Sequence, residues 1–154
     1  MILHHIDNNY LKMNNKSIVK VLRINNQIDE IAKLEVFLNE LVEEWRLSKH
    51  LVHSLNLVLE EALTNINDYG FDDDSKHTIE IYFKKTGDEL SILIIDDGHE
   101  YDPTLVADPD ITLSAEDRSI GGLGIFLIKK FMDKVEYQRK ENRNYLTLTK
   151  NIES

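Results

Sequence analysis

Cysteine is absent from the chain. That excludes a disulfide framework and any thiolate metal site, and it fits a reducing compartment such as the cytoplasm. Proline and glycine are scarce, two and six in 154 residues, which argues against a fibrous or disordered chain. No apolar run approaches the ~20 residues that a helix needs to cross a bilayer. The opening stretch "MILHHIDNNYLKMNNK" has neither the basic region nor the apolar region of a secretory leader. Positive charge is also short: 18 Lys and Arg face 28 Asp and Glu, a formal net charge of −10. Such a balance argues against direct binding of nucleic acid or an anionic membrane. An anionic ligand would have to be held by local groups, and backbone amides with a divalent cation are the usual means.

What is present is a chain of single-domain length, 42% hydrophobic and able to bury a core. Residues 1–16 are polar and read as a tail or a short edge strand, leaving 17–154 as one domain. "SIVKVLRI" is β-branched and reads as a strand. Ile31, Leu34, Leu38, Leu41 and Trp45 then recur at helical spacing, with Asn26 and Asp29 as a start signal. A second helix is predicted from Lys49 to Tyr69, with Leu55, Leu59, Ala62 and Ile66 on its apolar face and Gly70 as its stop. The period then changes to two: Ile79, Ile81 and Phe83 alternate with polar neighbours, "GDE" turns the chain, and "LSILIID" continues as a more buried strand. Residues 97–122 form a long connection without a clear period. A connection of that length inside a small domain is usually functional or disordered. "LGIFLIKKFMDKV" reads as a third helix carrying Leu127, Phe131 and Val135. "VEYQRK", a turn at "ENRN" and "YLTLTK" close the chain as a hairpin. Helices that must cover one face of a mostly antiparallel sheet make an α+β, two-layer α/β sandwich.

Three patches carry chemistry. In "EEALTNINDYG", Glu61, Asn65 and Asp68 fall on one helical stripe, beside the apolar Leu59, Ala62 and Ile66. A carboxamide oxygen is a hard ligand suited to Mg²⁺, and a carboxylate one turn away can accept a proton from a hydroxyl. The competing reading is a solvated helix face. In "IIDDGHEYDP", Asp96, Asp97 and Gly98 end a buried strand. A carboxylate there can accept from an exocyclic amine such as that of adenine, and Gly98 lets a flat ring approach the backbone. An ordinary Asp-Gly turn is the alternative; Asp102 before Pro103 reads as turn chemistry. In "RSIGGLGIFLIKKF", Gly121, Gly122 and Gly124 precede a helix, where exposed amides and the helix dipole suit a phosphate. Arg118 could reach a terminal phosphate, the competing reading being an exposed arginine of no special role. The stretch has neither the Gly-Lys-Ser/Thr ending of a Walker loop nor the preceding strand of a Rossmann fingerprint.

Taken in order, "EALTN", "DDGHEYDP" and "GGLGIFLIKKFMDKVEY" resemble the N, G1 and G2 boxes of the GHKL ATPase superfamily, which includes gyrase, a heat-shock chaperone and the histidine kinases. Within it they look most like the anti-sigma-factor serine/threonine kinases of bacterial partner switching. The similarity runs from about Leu34 to Lys150. It implies a Bergerat-type ATP-binding sandwich, ATP and Mg²⁺ as cofactors, Glu61 as catalytic base and Asn65 as the Mg²⁺ ligand. Asp96 would bind the adenine amine with Gly98 beside it. Gly121, Gly122 and Gly124 would wrap the phosphates under a lid formed by residues 104–120. A threonine of the last hairpin, Thr147 or Thr149, would support adenine through water. The implied reaction is phosphorylation of a serine on a STAS-domain anti-anti-sigma factor, with a sigma factor as the other partner. A homodimer through the N-terminal strand and first helix is implied as well.

The chain departs from the pattern in two places. Asp68 and Tyr69 stand where members often carry a basic or histidine pair, and His99 and Glu100 replace a second glycine. An added acid repels a polyphosphate unless a cation intervenes. The alternative function is therefore a nucleotide-responsive binding module with little catalysis. A phosphoacceptor histidine region or sensor domain does not fit within 154 residues. His50 and His53 have no third ligand in view, and Phe37 and Trp45 read as packing residues.

Overall fold

The computed structural model describes residues 17–108, 110, 112 and 123–152. The first sixteen residues, most of the expected lid, Arg118, Gly121 and Gly122 lie outside the described residues. The elements run β1 (Ser17–Asn25), α1 (Ile31–Trp45), α2 (Lys49–Gly70), β2 (Thr78–Thr86), β3 (Glu89–Asp96), α3 (Leu123–Phe131), β4 (Lys134–Lys140) and β5 (Arg143–Asn151). Short 3₁₀ turns cover Ile28–Glu30 and Pro103–Leu105. One five-stranded sheet has the order β1-β2-β3-β5-β4, and every neighbouring pair is antiparallel. This is the α+β sandwich expected from the sequence.

Register and side-chain alternation explain how the sheet is one-sided. Leu22, Ile81, Ile94, Leu146 and Tyr137 pair in turn across all five strands. The row Lys20, Phe83, Ile92, Leu148 and Val135 lies beside it. Both rows stand on the face that the helices cover, and their central members are fully buried. Successive strand residues point to opposite faces, so Tyr82, Leu93 and Thr147 stand on the other side. On that open side Glu80 ties three strands together, accepting from Arg23 at 3.1 Å, Tyr82 at 3.0 Å and Arg143 at 3.1 Å.

The helices meet the sheet through the expected stripes. Leu34, Leu38, Leu41 and Trp45 of α1 are buried, as are Leu55, Leu59 and Ala62 of α2. Ser48 caps α2 by accepting from the Leu51 amide at 3.1 Å. The third helix differs from the sequence reading. It stops at Phe131, and Val135 belongs to β4. The buried residues there are Ile125, Ile128 and Met132, whereas Leu127 is 37% exposed. An almost wholly apolar helix offers several competing stripes, so its period alone does not choose one.

Two turns also differ. The last hairpin turns at Glu141 and Asn142 alone, both with positive φ, so Arg143 and Asn144 already belong to β5. Paired positive φ values match the twist of a two-residue hairpin. Gly70 ends α2 without a left-handed conformation; Phe71 follows it in extended geometry. A different constraint acts on Gly70. A β-carbon on Gly98 would fall 2.8 Å from the Gly70 oxygen and 3.0 Å from its Cα, so the two backbones touch. The His99 amide donates to the same Gly70 oxygen at 2.8 Å. The end of α2 is thus bonded directly to the chain leaving β3.

The connection between α2 and β2 is held by His77. Its Nε2 meets Asp73 Oδ1 at 2.8 Å, its Nδ1 meets Asp97 Oδ1 at 3.2 Å, and its ring stacks on Phe71. The Asp73 hydrogen bond, opposed by desolvation and supported by Asp97, raises the imidazole pKa. Among the described residues no helix is long and apolar enough to cross a membrane.

Two outcomes follow for stability. Leu59→Ala empties a fully buried site and should lower the urea-derived stability by about 2–5 kcal/mol. Leu57→Ala, at a position 44% exposed, should stay within about 0.5 kcal/mol of wild type. Equal losses would mean that α2 buries another face. For His77 the folded pKa lies above the unfolded one, so its contribution is complete below the unfolded pKa and disappears as pH rises through the folded pKa. The stability gap between wild type and His77→Phe, which keeps a ring for Phe71, should be widest near pH 6 and narrow towards pH 9, about the range in which imidazole loses its proton. A gap constant across that range would remove the ring charge from this role.

Candidate functional site

The cavity that holds Asn65 and Asp96 of the predicted residues lies between α2, the ends of β3 and β5, and α3. Ala62, Ile66, Ile125, Ile128 and Leu146 give it apolar walls, and Tyr69, Tyr101 and Tyr137 line it with aromatic rings. Tyr69 and Tyr101 stack on each other with centroids 5.8 Å apart. Two polar side chains of the predicted set, Asn65 and Asp96, open into this space.

Asp96 is the last residue of β3 and the next inward position after Leu90, Ile92 and Ile94. It is only 4% exposed. One oxygen, Oδ1, accepts from the Gly98 amide at 2.9 Å and from Asn144 Nδ2 at 2.9 Å. Among the described residues, no side chain or amide donates to the other oxygen, Oδ2. Burial raises the carboxyl pKa, while the bonds from Asn144 and Gly98 pull it back and Asp97 adds repulsion. The group is therefore anchored by one oxygen and has an acceptor to spare.

Asn65 stands one turn after Glu61 on α2. Its Nδ2 is buried and has no hydrogen-bond partner among the described residues. A buried amide end without a partner is costly and asks for a ligand or water. The two ends of a carboxamide exchange by a half-turn, so the same side chain can present its oxygen.

Glu61 does not line the cavity. It lies against the first turn of α3, where a β-carbon on Gly124 would collide with Glu61 Oε2. The missing β-carbon of Gly124 thus leaves room for the carboxylate in this position. Gly98 is likewise absent from the cavity wall; it supplies the amide that holds Asp96 and packs on Gly70. It does not offer bare backbone to a ring, as the sequence reading had it. Thr147 does not reach the site. It pairs with Leu93 and Glu136 on the open face of the sheet, and Thr149 shares that face. The alternation of β5 gives the inward positions to Asn144, Leu146 and Leu148. Asp68 is exposed and stands outside the cavity. Asp102 makes the expected turn, accepting from the Thr104 amide at 2.9 Å and its hydroxyl at 2.6 Å.

Asn144 is the site residue that sequence reasoning missed. It was placed in a turn, yet it is buried in β5 and lines the cavity. A signal was available: stepping back by two from Leu148 and Leu146 arrives at Asn144 on the inward face. Tyr137 was visible as a strand residue but not as a wall of the cavity.

These positions fit a purine nucleotide and a divalent cation. The spare acceptor of Asp96 suits an exocyclic amine, the aromatic and aliphatic walls suit a flat base, and the unpaired amide of Asn65 near Glu61 gives a hard oxygen donor for Mg²⁺. Among the described residues no group of three His, Asp or Glu side chains could hold a metal alone. A cation here would need other ligands, and phosphate oxygens serve that purpose in nucleotide sites.

Comparison with known proteins agrees with this geometry. Residues 24–150 match the family described as the histidine kinase-like ATPase domain. A serine/threonine-protein kinase, BtrW of Bordetella bronchiseptica, is 38% identical over 104 residues, covering 68% of this chain and 73% of the relative. The serine-protein kinase RsbW of Halalkalibacterium halodurans is 29% identical over 103 residues, 64% of this chain and 62% of that protein. The crystal structure of the RsbU and RsbW domains of Rv1364c from Mycobacterium tuberculosis superposes with a TM-score of 0.59 at 16% identity, over 86% of this chain and 32% of the larger one. That likeness concerns the fold. With residues 24–150 matched by the family, the chain belongs to the histidine kinase-like ATPase family, beside the serine/threonine-protein kinase BtrW and the serine-protein kinase RsbW.

Proposed function

We propose that the chain is an ATP-dependent protein serine/threonine kinase of the partner-switching kind. The observation that carries the reading is a pair of groups in one cavity that lack protein partners among the described residues: the Oδ2 of Asp96 and the buried amide nitrogen of Asn65. Asp96 accepts the adenine amine. The rings of Tyr69, Tyr101 and Tyr137 and the side chains of Ile66 and Ile125 enclose the base. Asn65 would hold Mg²⁺ through its carboxamide oxygen, and the ion would supply charge neutralisation for the phosphates. The amides of Gly121, Gly122 and Gly124, with Arg118, cradle the phosphates.

Glu61 accepts the proton of the attacking serine hydroxyl as that oxygen takes the terminal phosphoryl group and ADP departs. Its contact with Gly124 keeps the carboxylate beside the glycine segment. The phosphoacceptor is a serine on a STAS-domain anti-anti-sigma factor, and a sigma factor is the competing partner. The kinase names borne by the relatives support this assignment.

Calorimetry with Mg·ATP tests the binding half. Asp96→Asn should weaken affinity by about 1.5–3 kcal/mol, the usual size of a hydrogen bond to a charged group. No binding by the wild type would end the proposal. Transfer of labelled phosphate to the cognate STAS protein tests the catalytic half. Glu61→Ala should lower the rate by about 10²–10⁴-fold, as loss of a general base does, with ATP affinity little changed. Undiminished transfer by that variant would take the proton-accepting role away from Glu61.

A further inference from the structure

We infer that Asn144 is the positioning residue of the nucleotide site: its carboxamide holds Asp96 in the orientation and charge state in which Oδ2 can accept from the base. The inference rests on the nucleotide reading above, and the geometry behind it comes from the sheet itself.

Asp96, Asn144 and Arg139 are register partners on β3, β5 and β4, so one row of the sheet brings the three side chains together on the inner face. Every hydrogen-bonding site of the Asn144 side chain is committed. Its Nδ2 donates to Asp96 Oδ1 at 2.9 Å and to the His99 oxygen at 2.8 Å, with a longer contact to the Gly98 oxygen at 3.4 Å. Its Oδ1 accepts from Tyr137 Oη at 2.5 Å and from Arg139 Nη1 at 3.1 Å. Arg139 fixes which end of the amide is nitrogen: a guanidinium can only donate, so it meets the oxygen and the nitrogen must face Asp96. Arg139 also donates to the Gly98 oxygen at 2.7 Å, which holds the loop against the same group. With no capacity left over, Asn144 does not itself read a ligand.

The chemical consequence falls on Asp96. Two N–H groups occupy Oδ1, so a proton taken up by this carboxyl goes to Oδ2. That proton would turn the acceptor into a donor and set it against the amine of the base. Recognition therefore needs the ionised form in a buried place that disfavours ionisation. The Asn144 donor counters part of that penalty, alongside the Gly98 amide. The other titratable or charged groups around the carboxylate are Tyr69 of α2, Asp97, His99 and Tyr101 of the segment after β3, and Tyr137 and Arg139 of β4.

The test uses the full chain and the variant Asn144→Leu, which keeps the volume and removes the donor. Two quantities are measured across pH 4.5–8: the Asp96 titration by carboxyl-carbon NMR without nucleotide, and the Kd for Mg·ATP. The expected result is an upward shift of the Asp96 titration by about one pH unit, equal to a tenfold change in proton affinity. The acid limb of nucleotide binding should move up with it, while circular dichroism stays that of the wild type. An unshifted titration overturns the inference, whether affinity is unchanged or falls equally at every pH. If the leucine variant does not fold, Asn144→Ser is measured by the same criteria; its hydroxyl is too short to span the 2.9 Å bond. A shifted titration in a wild-type background that binds no Mg·ATP would retain the positioning role and discard the nucleotide reading.

Discussion

A buried carboxylate that shares its two oxygens unequally is the constraint around which the molecule is arranged. Burial at 4% exposure disfavours the charged form of Asp96, and the Gly98 amide and Asn144, both donating to Oδ1, oppose that penalty. Those donors come from the loop after β3 and from β5, and β5 keeps its place through pairing with β3 and β4. The loop in turn is fastened to the end of α2 by the Gly70–Gly98 contact and the His99 amide. Local bonds at one side chain thus depend on the register of three strands and on the docking of a helix. The same arrangement leaves the second oxygen unbonded and aimed at the ligand space.

The helices contribute differently. α2 is a core element over Leu55, Leu59, Ala62 and Leu63, and the residues that follow carry the chemistry on its flank. Asn65 lies there beside the cavity, its buried amide nitrogen without a partner among the described residues. Local structural cost and function coincide at that position, as they do at the buried carboxylate.

Much of this was legible in the sequence, for physical reasons that differ by element. The apolar stripes of α1 and α2 and the alternation of β2 have one strong period each, and each buried the face it specified. Asp96 and Asn65 could be picked out because polar side chains at a strand end and beside an apolar stripe are unusual. The third helix defeated the same reasoning: with apolar residues on neighbouring stripes over only nine residues, Leu127 and Phe131 competed with the stripe of Ile125, Ile128 and Met132 that is buried. Asn144 was hidden by its composition: "ENRN" looks like a turn, and only the pairing with β3 makes its second asparagine a strand residue. Thr147 was chosen by chemical type without regard to side-chain parity, and a shift of one residue along a strand exchanges the two faces. Gly98 carried the right importance for another reason, because close packing of two backbones cannot be read from one of them.

The contact between Gly124 and Glu61 has a structural corollary. Where the β-carbon of residue 124 would sit, the carboxylate already stands. Any side chain installed there must push either the first turn of α3 away from its neighbour or Glu61 out of its position. A residue with no functional group of its own thus leaves room for an acid carried by another helix, through the one atom that glycine omits.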